Sequence, residues 1–283
     1  TLTLTLTLTL TLTLTLTPRY HESASSLLYL KERTRAAQVY VETAVQRNRI
    51  DAELSHIQRH EVSVTCKLAA NSKYEQLLTK RKEYKGSFAP PFEASTDASW
   101  AELLSALAAA PARQQALRDT INGIHKQDAW TKVIVFAPVG DPFDSARAAL
   151  MALGRPVLIA EASSDGDGAS VGEDLDVFSQ PDIRDPTKPL VLLMSFDQSS
   201  ALNLQKVSHN VIFYAPLWGE DAEGVHASSN EQQAIGRVIR TGQTQDVVLH
   251  RLVAVGPSMQ KTIEQRIVDR NTSQEVTRQA VNT

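Results

Sequence analysis

The stretch Glu231-Gln232-Gln233-Ala234-Ile235-Gly236-Arg237-Val238-Ile239-Arg240-Thr241-Gly242-Gln243-Thr244 brings an amide and two guanidinium groups close together in the chain. If residues 231–240 are helical, Gln233, Arg237 and Arg240 fall at i, i+4 and i+7 and share one face. Gly242 then stands where a C-terminal cap is expected. Two arginines on a rigid element suit the charge of a transferring phosphoryl group, because each is permanently charged and presents a planar fork of donors. Spacing alone leaves a second reading open and leans toward it: an exposed amphipathic helix whose two arginines are merely solvated.

Other constellations that carry chemistry are incomplete. No glycine in the sequence is followed by lysine and no Asp-Glu pair occurs, so neither a Walker A loop nor a Walker B carboxylate pair is present to cradle phosphates and hold Mg²⁺. Asp165-Gly166-Asp167-Gly168 starts like a calcium loop, but Ala169 and Ser170 stand where a ligand and the central glycine belong, which makes it an acidic surface turn. The seven histidines are scattered, Cys66 is the single cysteine, and no Gly-x-Ser-x-Gly elbow occurs, so a metal site or a nucleophilic triad has no basis. Trp218 reads as a packed anchor at a sheet edge, since one aromatic does not make a base-stacking groove.

The elements that must position the arginines follow from hydropathy. Short apolar runs at Val133–Ala137, Pro156–Ala160, Leu190–Met194, Val211–Tyr214 and Val247–Val253 read as strands covered on both faces. Between them, helices are expected at Phe143–Leu153, Glu173–Phe178, Glu231–Arg240 and Met259–Val268, an alternation that calls for a parallel sheet with crossover helices. Upstream, Val62, Val64, Cys66 and Leu68 alternate with polar residues as in a one-sided strand. Pro90-Pro91 marks a linker, since consecutive prolines neither continue a helix nor pair centrally in a sheet. The expected organisation is a Thr-Leu repeat at 1–17, a mostly helical segment at 18–85, a linker at 86–99, a helical lead-in at 100–130, an α/β lobe at 131–270 and a polar tail at 271–283. The repeat alternates without a charge or a continuous apolar span, so it reads as neither membrane anchor nor signal peptide and is left out of the fold.

Composition sets the outer bounds. The chain has 283 residues, 42% of them hydrophobic, enough for at least one sizeable core. Its 29 Lys and Arg against 32 Asp and Glu leave a net charge of -3, so any contact with nucleic acid must come from a local patch. One cysteine excludes an internal disulfide framework and points to an intracellular setting.

Residues Gln233, Ala234, Arg237, Arg240, Gly242, Gln243 and Thr244 resemble motif VI of superfamily-two helicases, in the Gln-Ala-x-x-Arg-x-x-Arg-x-Gly-Gln-Thr form of Swi/Snf-type translocases. Val247–Val253 with Thr262-Ile263-Glu264 resembles the strand and helix that follow that motif. Val211-Ile212-Phe213-Tyr214 with Trp218, and Lys132 to Pro138, resemble earlier strands of the same lobe, and Arg47-Asn48-Arg49 and Glu61 to Tyr74 resemble the exit from the lobe before it. The resemblance implies a RecA-like second lobe, with a parallel sheet and helices on both faces. It implies that Arg237 and Arg240 act as fingers toward the γ-phosphate of ATP and that Gln233 and Gly236 lie at the nucleotide. ATP and Mg²⁺ would be held by a first RecA-like lobe supplied in cis or in trans, duplex or nucleosomal DNA would be the track, the setting would be nuclear, and no membrane is involved. The chain by itself is expected to be catalytically silent.

Departures fall at defined places. The family's Gly-Gly-x-Gly-x-Asn-Leu is here Ser199-Ser200-Ala201-Leu202-Asn203-Leu204, which puts Ser199, Ser200 and Asn203 at the positions of DNA or interlobe contact. The loop from Gly219 to Asn230 lacks the Asn-Pro that follows the family's tryptophan. The alternatives are a non-catalytic lobe that binds a partner protein or DNA, and an unrelated nucleotide-binding α/β domain.

Overall fold

Six strands among the described residues, five of them apolar, pair into one sheet in which every strand is parallel to its neighbours. The computed structural model describes residues 35, 54, 56–85, 98–160, 176, 178–180, 184–198, 204–217, 227–257 and 261–282. In chain order the elements are β1 (Arg59–Lys67), α1 (Lys73–Lys85), α2 (Ala98–Ala108), α3 (Pro111–Gln127), β2 (Val133–Ala137), α4 (Asp141–Met151), β3 (Val157–Ala160), β4 (Val191–Ser195), β5 (Asn210–Phe213), α5 (Ala227–Gly236), β6 (Val247–Val255) and α6 (Ile263–Asn282). The strand order is β1-β6-β5-β2-β4-β3. β2, β4 and β5 are buried at every residue, as strands covered on both sides must be.

Alternate residues of each strand serve opposite faces. On one face Val133, Val135, Leu193 and Ile212 pack under Leu117 and Ile121 of α3 and Ala146 and Leu150 of α4. On the other, Ile134, Phe136, Leu192, Phe213 and Leu249 pack under Ala234 and Ile235 of α5, with Val238, Leu204 and Phe178. A third cluster, with Leu68, Tyr74, Leu103, Leu107, Ile263 and Ile267, joins α1, α2 and α6. The arrangement is the α/β sheet with helices on both faces that the apolar pattern predicts, and the five strands expected after Lys132 are found within a residue or two of their places.

Three differences have physical causes. The strand at residues 59–67, read together with the segment ahead of the linker, is an edge of this same sheet, paired to β6 in register from Arg59↔Val247 to Lys67↔Val255. Val64 is half-buried and Cys66 and Leu68 are buried as the alternation predicts, but Val62, expected on the same side, is exposed, and the pattern does not name the strand's partner. The helix expected over 231–240 begins at Ala227 and ends at Gly236. The final helix begins at Ile263, after Thr262, whose Oγ1 accepts from the Gln265 amide at 3.3 Å as an N-terminal cap does. The Thr-Leu repeat, most of the helical segment from 18, residues 86–97 of the linker, Trp218, and all but Asp176 and Phe178 of the expected helix 173–178 lie outside the described residues.

Candidate nucleotide-facing site

α5 exists because Ala234 and Ile235 seal one face of the sheet while Gln233 turns outward. Past Gly236 the ladder tightens: the Arg237 amide donates to Ala234 at 3.2 Å and the Val238 amide to Ile235 at 2.9 Å, three residues back instead of four. Such 3₁₀-type bonds are a common way to end a helix, and Gly236 lowers the cost of leaving it. Val238 is fully buried and pins the tightened turn to the sheet. A second turn follows, closed by the Gln243 amide donating to the Arg240 carbonyl at 3.0 Å, with Gly242 at φ 102° as its third residue. Turns of that shape require positive φ at this position, which glycine adopts freely. Gly242 is therefore the glycine of a turn six residues beyond the helix, not its C-terminal cap.

The break in the helix corrects the expected stacking. Gln233 is on α5, Arg237 on the tightened turn and Arg240 at the start of the next turn, so one helical face does not carry all three. They remain on the solvent side: Gln233, Gly236 and Arg240 are exposed and Arg237 is half-buried. The Arg237 side chain makes no hydrogen bond or ion pair with any described residue. Its backbone carbonyl accepts from the Leu204 amide at 3.3 Å, which joins the arginine turn to the connection between β4 and β5. Ser199, Ser200 and Asn203, on that connection, lie outside the described residues.

The supports of this segment are polar and buried. Gln243 is 6% exposed; its Nε2 donates to the Ser208 and Val238 carbonyls at 3.1 and 3.2 Å, and its Oε1 accepts from the Thr244 and Gln245 amides at 3.0 and 3.1 Å. One side chain thus satisfies four backbone groups around the turn, and ties it to Ser208 just ahead of β5. Glu231, in α5, accepts from Arg251 of β6 at 2.9 Å and from the Leu217 amide at 3.1 Å. Arg251 also donates to Glu61 of β1 at 2.8 Å. Burial alone would raise the Glu61 carboxyl, but the Arg251 and Arg59 charges outweigh it and hold the group below the usual carboxylate range.

On the other side of the sheet Arg113 is wholly buried. It donates to the Leu107 carbonyl at 3.1 Å, to the Tyr214 carbonyl and to the Glu264 carboxylate, and its guanidinium lies 5.5 Å from the centre of the Tyr214 ring. Glu264 also accepts the Ala254 amide at 2.9 Å. Tyr214 donates to the Ala108 carbonyl at 2.8 Å, and burial pushes its hydroxyl up to about 12. Burial likewise pushes the Cys66 thiol up to about 11, leaving it unreactive. The Thr262-Ile263-Glu264 signature is therefore explained by a cap and a buried charge. Arg113, Glu231 and Arg251 were missed because charged residues within amphipathic patterns read as solvated.

Among the described residues no three His, Cys, Asp or Glu side chains are grouped to hold a metal ion, and no helix is long and apolar enough to cross a membrane.

No protein-family model and no curated protein matches the sequence. Solved structures do match. The C-terminal part of the Fun30 ATPase domain aligns over 75% of this chain and 89% of its own length, with TM-score 0.50 and 14% identity. The chain therefore shares the fold of that C-terminal part. The Sulfolobus solfataricus SWI2/SNF2 ATPase core in complex with double-stranded DNA aligns over 74% of the chain with TM-score 0.47 and 21% identity. The Pyrococcus furiosus Hef helicase domain aligns over 68% with TM-score 0.38 and 17% identity. The chain spans 42% of the SWI2/SNF2 core and 36% of the Hef domain. Of the signature residues, Gln233, Arg240, Gly242 and Thr244 are exposed, Arg237 is half-buried, and Ala234 and Gln243 are buried.

Proposed function

We propose that this lobe closes on ATP held by a first RecA-like lobe and supplies Arg237 and Arg240 to the γ-phosphate, as the moving half of a DNA-dependent translocase. The observation that carries the reading is the Arg237 side chain, which is half-buried at the surface of a pinned turn yet has no partner among the described residues. An arginine kept for folding would pair within the lobe, whereas an arginine kept for a ligand waits for one. Gln233 and Gly236, exposed on the preceding helix, fit a nucleotide approaching from the same side. Mg²⁺ would arrive with the nucleotide, bound by the phosphate cradle and carboxylates of the first lobe. Duplex DNA, free or nucleosomal and in the nucleus, is the track this reading assigns, with Ser199, Ser200 and Asn203 as the contact residues the sequence resemblance implies.

The test is to fuse the chain to a first lobe of Swi/Snf type and measure ATP turnover with and without duplex DNA. DNA-stimulated turnover that needs both lobes supports the reading. Turnover identical to that of the first lobe alone rejects it in favour of an interaction module.

A further inference from the structure

Glu231 is 2% exposed and both of its carboxylate oxygens are used: Oε2 accepts Arg251 at 2.9 Å, and Oε1 accepts the Leu217 amide at 3.1 Å and Asn271 Nδ2 at 3.4 Å. Arg251, 5% exposed, lies over the Phe213 ring at 5.0 Å and passes the contact on to Glu61 at 2.8 Å. A second link runs beside the first, because Arg59 pairs with Glu61 at 2.9 Å and reaches Gln232 Oε1 at 3.4 Å. One chain of contacts therefore runs from β1 through β6 to α5, and a second runs directly from β1 to α5, which leads into the arginine turn.

Packing does not ask for this. Burying an arginine and a glutamate costs several kcal/mol of desolvation per ion, and well-packed apolar residues of similar volume often hold a core as well or better. What the ionic ladder adds is direction: paired guanidinium and carboxylate groups meet in a narrow set of geometries, so they transmit a displacement where an oily contact would slip. β1 is also the sheet's earliest strand in the chain, and so the one nearest in sequence to anything N-terminal of this lobe.

We propose that Glu231, Arg251 and Glu61 are positioning residues that tie the arginine turn to β1, so that movement of β1 is felt at Arg237. The role assigned to Arg237 rests on the function proposed above; the mechanical link does not. Glu61, which is half-exposed and on the edge strand, is the probe, because Glu61→Gln keeps the side chain's shape and removes its charge.

In the full chain, amide hydrogen exchange at residues 231–243 should quicken about tenfold in Glu61→Gln, as loss of one charge-assisted bond predicts, while β2 and β4 exchange as in the wild type. Exchange at 231–243 that stays at the wild-type rate, or that rises equally throughout the sheet, overturns the proposal. In an active two-lobe fusion, Glu61→Gln should lower kcat about tenfold and leave KM for ATP within about twofold, because the nucleotide is held by the other lobe. An unchanged kcat there also overturns it. If the wild-type fusion itself fails to turn over ATP, the functional reading fails and the exchange result alone decides this one.

Discussion

The Leu204 amide donates to the Arg237 carbonyl at 3.3 Å. Leu204 is fully buried against the face of the sheet that α5 also covers, so this bond joins the connection after β4 to the arginine turn through backbone atoms alone. The Arg237 side chain itself has no partner among the described residues.

In an active two-lobe protein, Arg240→Ala or Arg237→Ala should cut ATP turnover about a thousandfold or more, the scale of an arginine finger, with stability changed by no more than about 0.5 kcal/mol. Arg240→Lys should also impair turnover, because it keeps the charge and loses the planar fork. Steady-state kinetics and thermal melts check both halves, and full activity in the two alanine variants removes these residues from the site.

Gly242→Ala should destabilise the lobe by about 1–3 kcal/mol, the cost of holding a side-chain-bearing residue at strongly positive φ. Gly242 sits at φ 102°, and an added Cβ would meet Lys206 Cε at 3.2 Å. The tip of a lysine can move aside, so the backbone supplies the cost. Urea denaturation of the two proteins measures it, and a neutral result would mean that the turn at 240–243 relaxes into another form.

The fold was legible where burial is uniform. β2 and β4 are covered on both faces and so read as unbroken apolar runs with sharp ends. β1 was legible as a strand from Val64, Cys66 and Leu68, but its partner lies some 190 residues away and no local pattern names it. The site was legible only in its residue types. Gln233, Arg237 and Arg240 could be picked out by resemblance, yet their geometry depends on Gly236 ending the helix, and helical spacing continues across that break as if it were absent. Least legible were Arg113 and Arg251, since a buried arginine is recognisable only by the carboxylates and carbonyls that tertiary structure brings to it.

Stability should fall as pH drops from about 7 to about 5, because three histidines are harder to protonate in the fold than in the unfolded chain. Burial lowers His125, His209 and His250 from the ordinary value of 6.5. His125 shows why: Nε2 bonds the Thr131 carbonyl at 2.9 Å, and Nδ1 faces the Arg155 guanidinium, which can only donate, so a second proton has no place. Below 6.5 the unfolded chain binds more protons than the folded one, so the stabilisation is complete above that pH and is lost as pH falls toward the depressed folded values. Melting temperature measured across this range checks the sign, and His250→Phe, which removes a buried ring nitrogen without a partner among the described residues, should flatten the profile.

The severest single substitutions should be at Arg113 and Glu264, far from the arginine turn. Both side chains are essentially inaccessible and paired to each other, so Arg113→Met leaves a buried carboxylate uncompensated and Glu264→Leu leaves a buried guanidinium so. Each should cost about 3–5 kcal/mol in urea denaturation, a large part of a typical domain's stability. The double variant should cost less than the sum, because it removes both charges at once. It should not be neutral, however: Arg113 also serves the Leu107 and Tyr214 carbonyls and Glu264 the Ala254 amide, and those groups would lose partners. A single variant costing less than about 1 kcal/mol would mean that water reaches this pair, since only a hydrated charge survives the loss of its partner so cheaply.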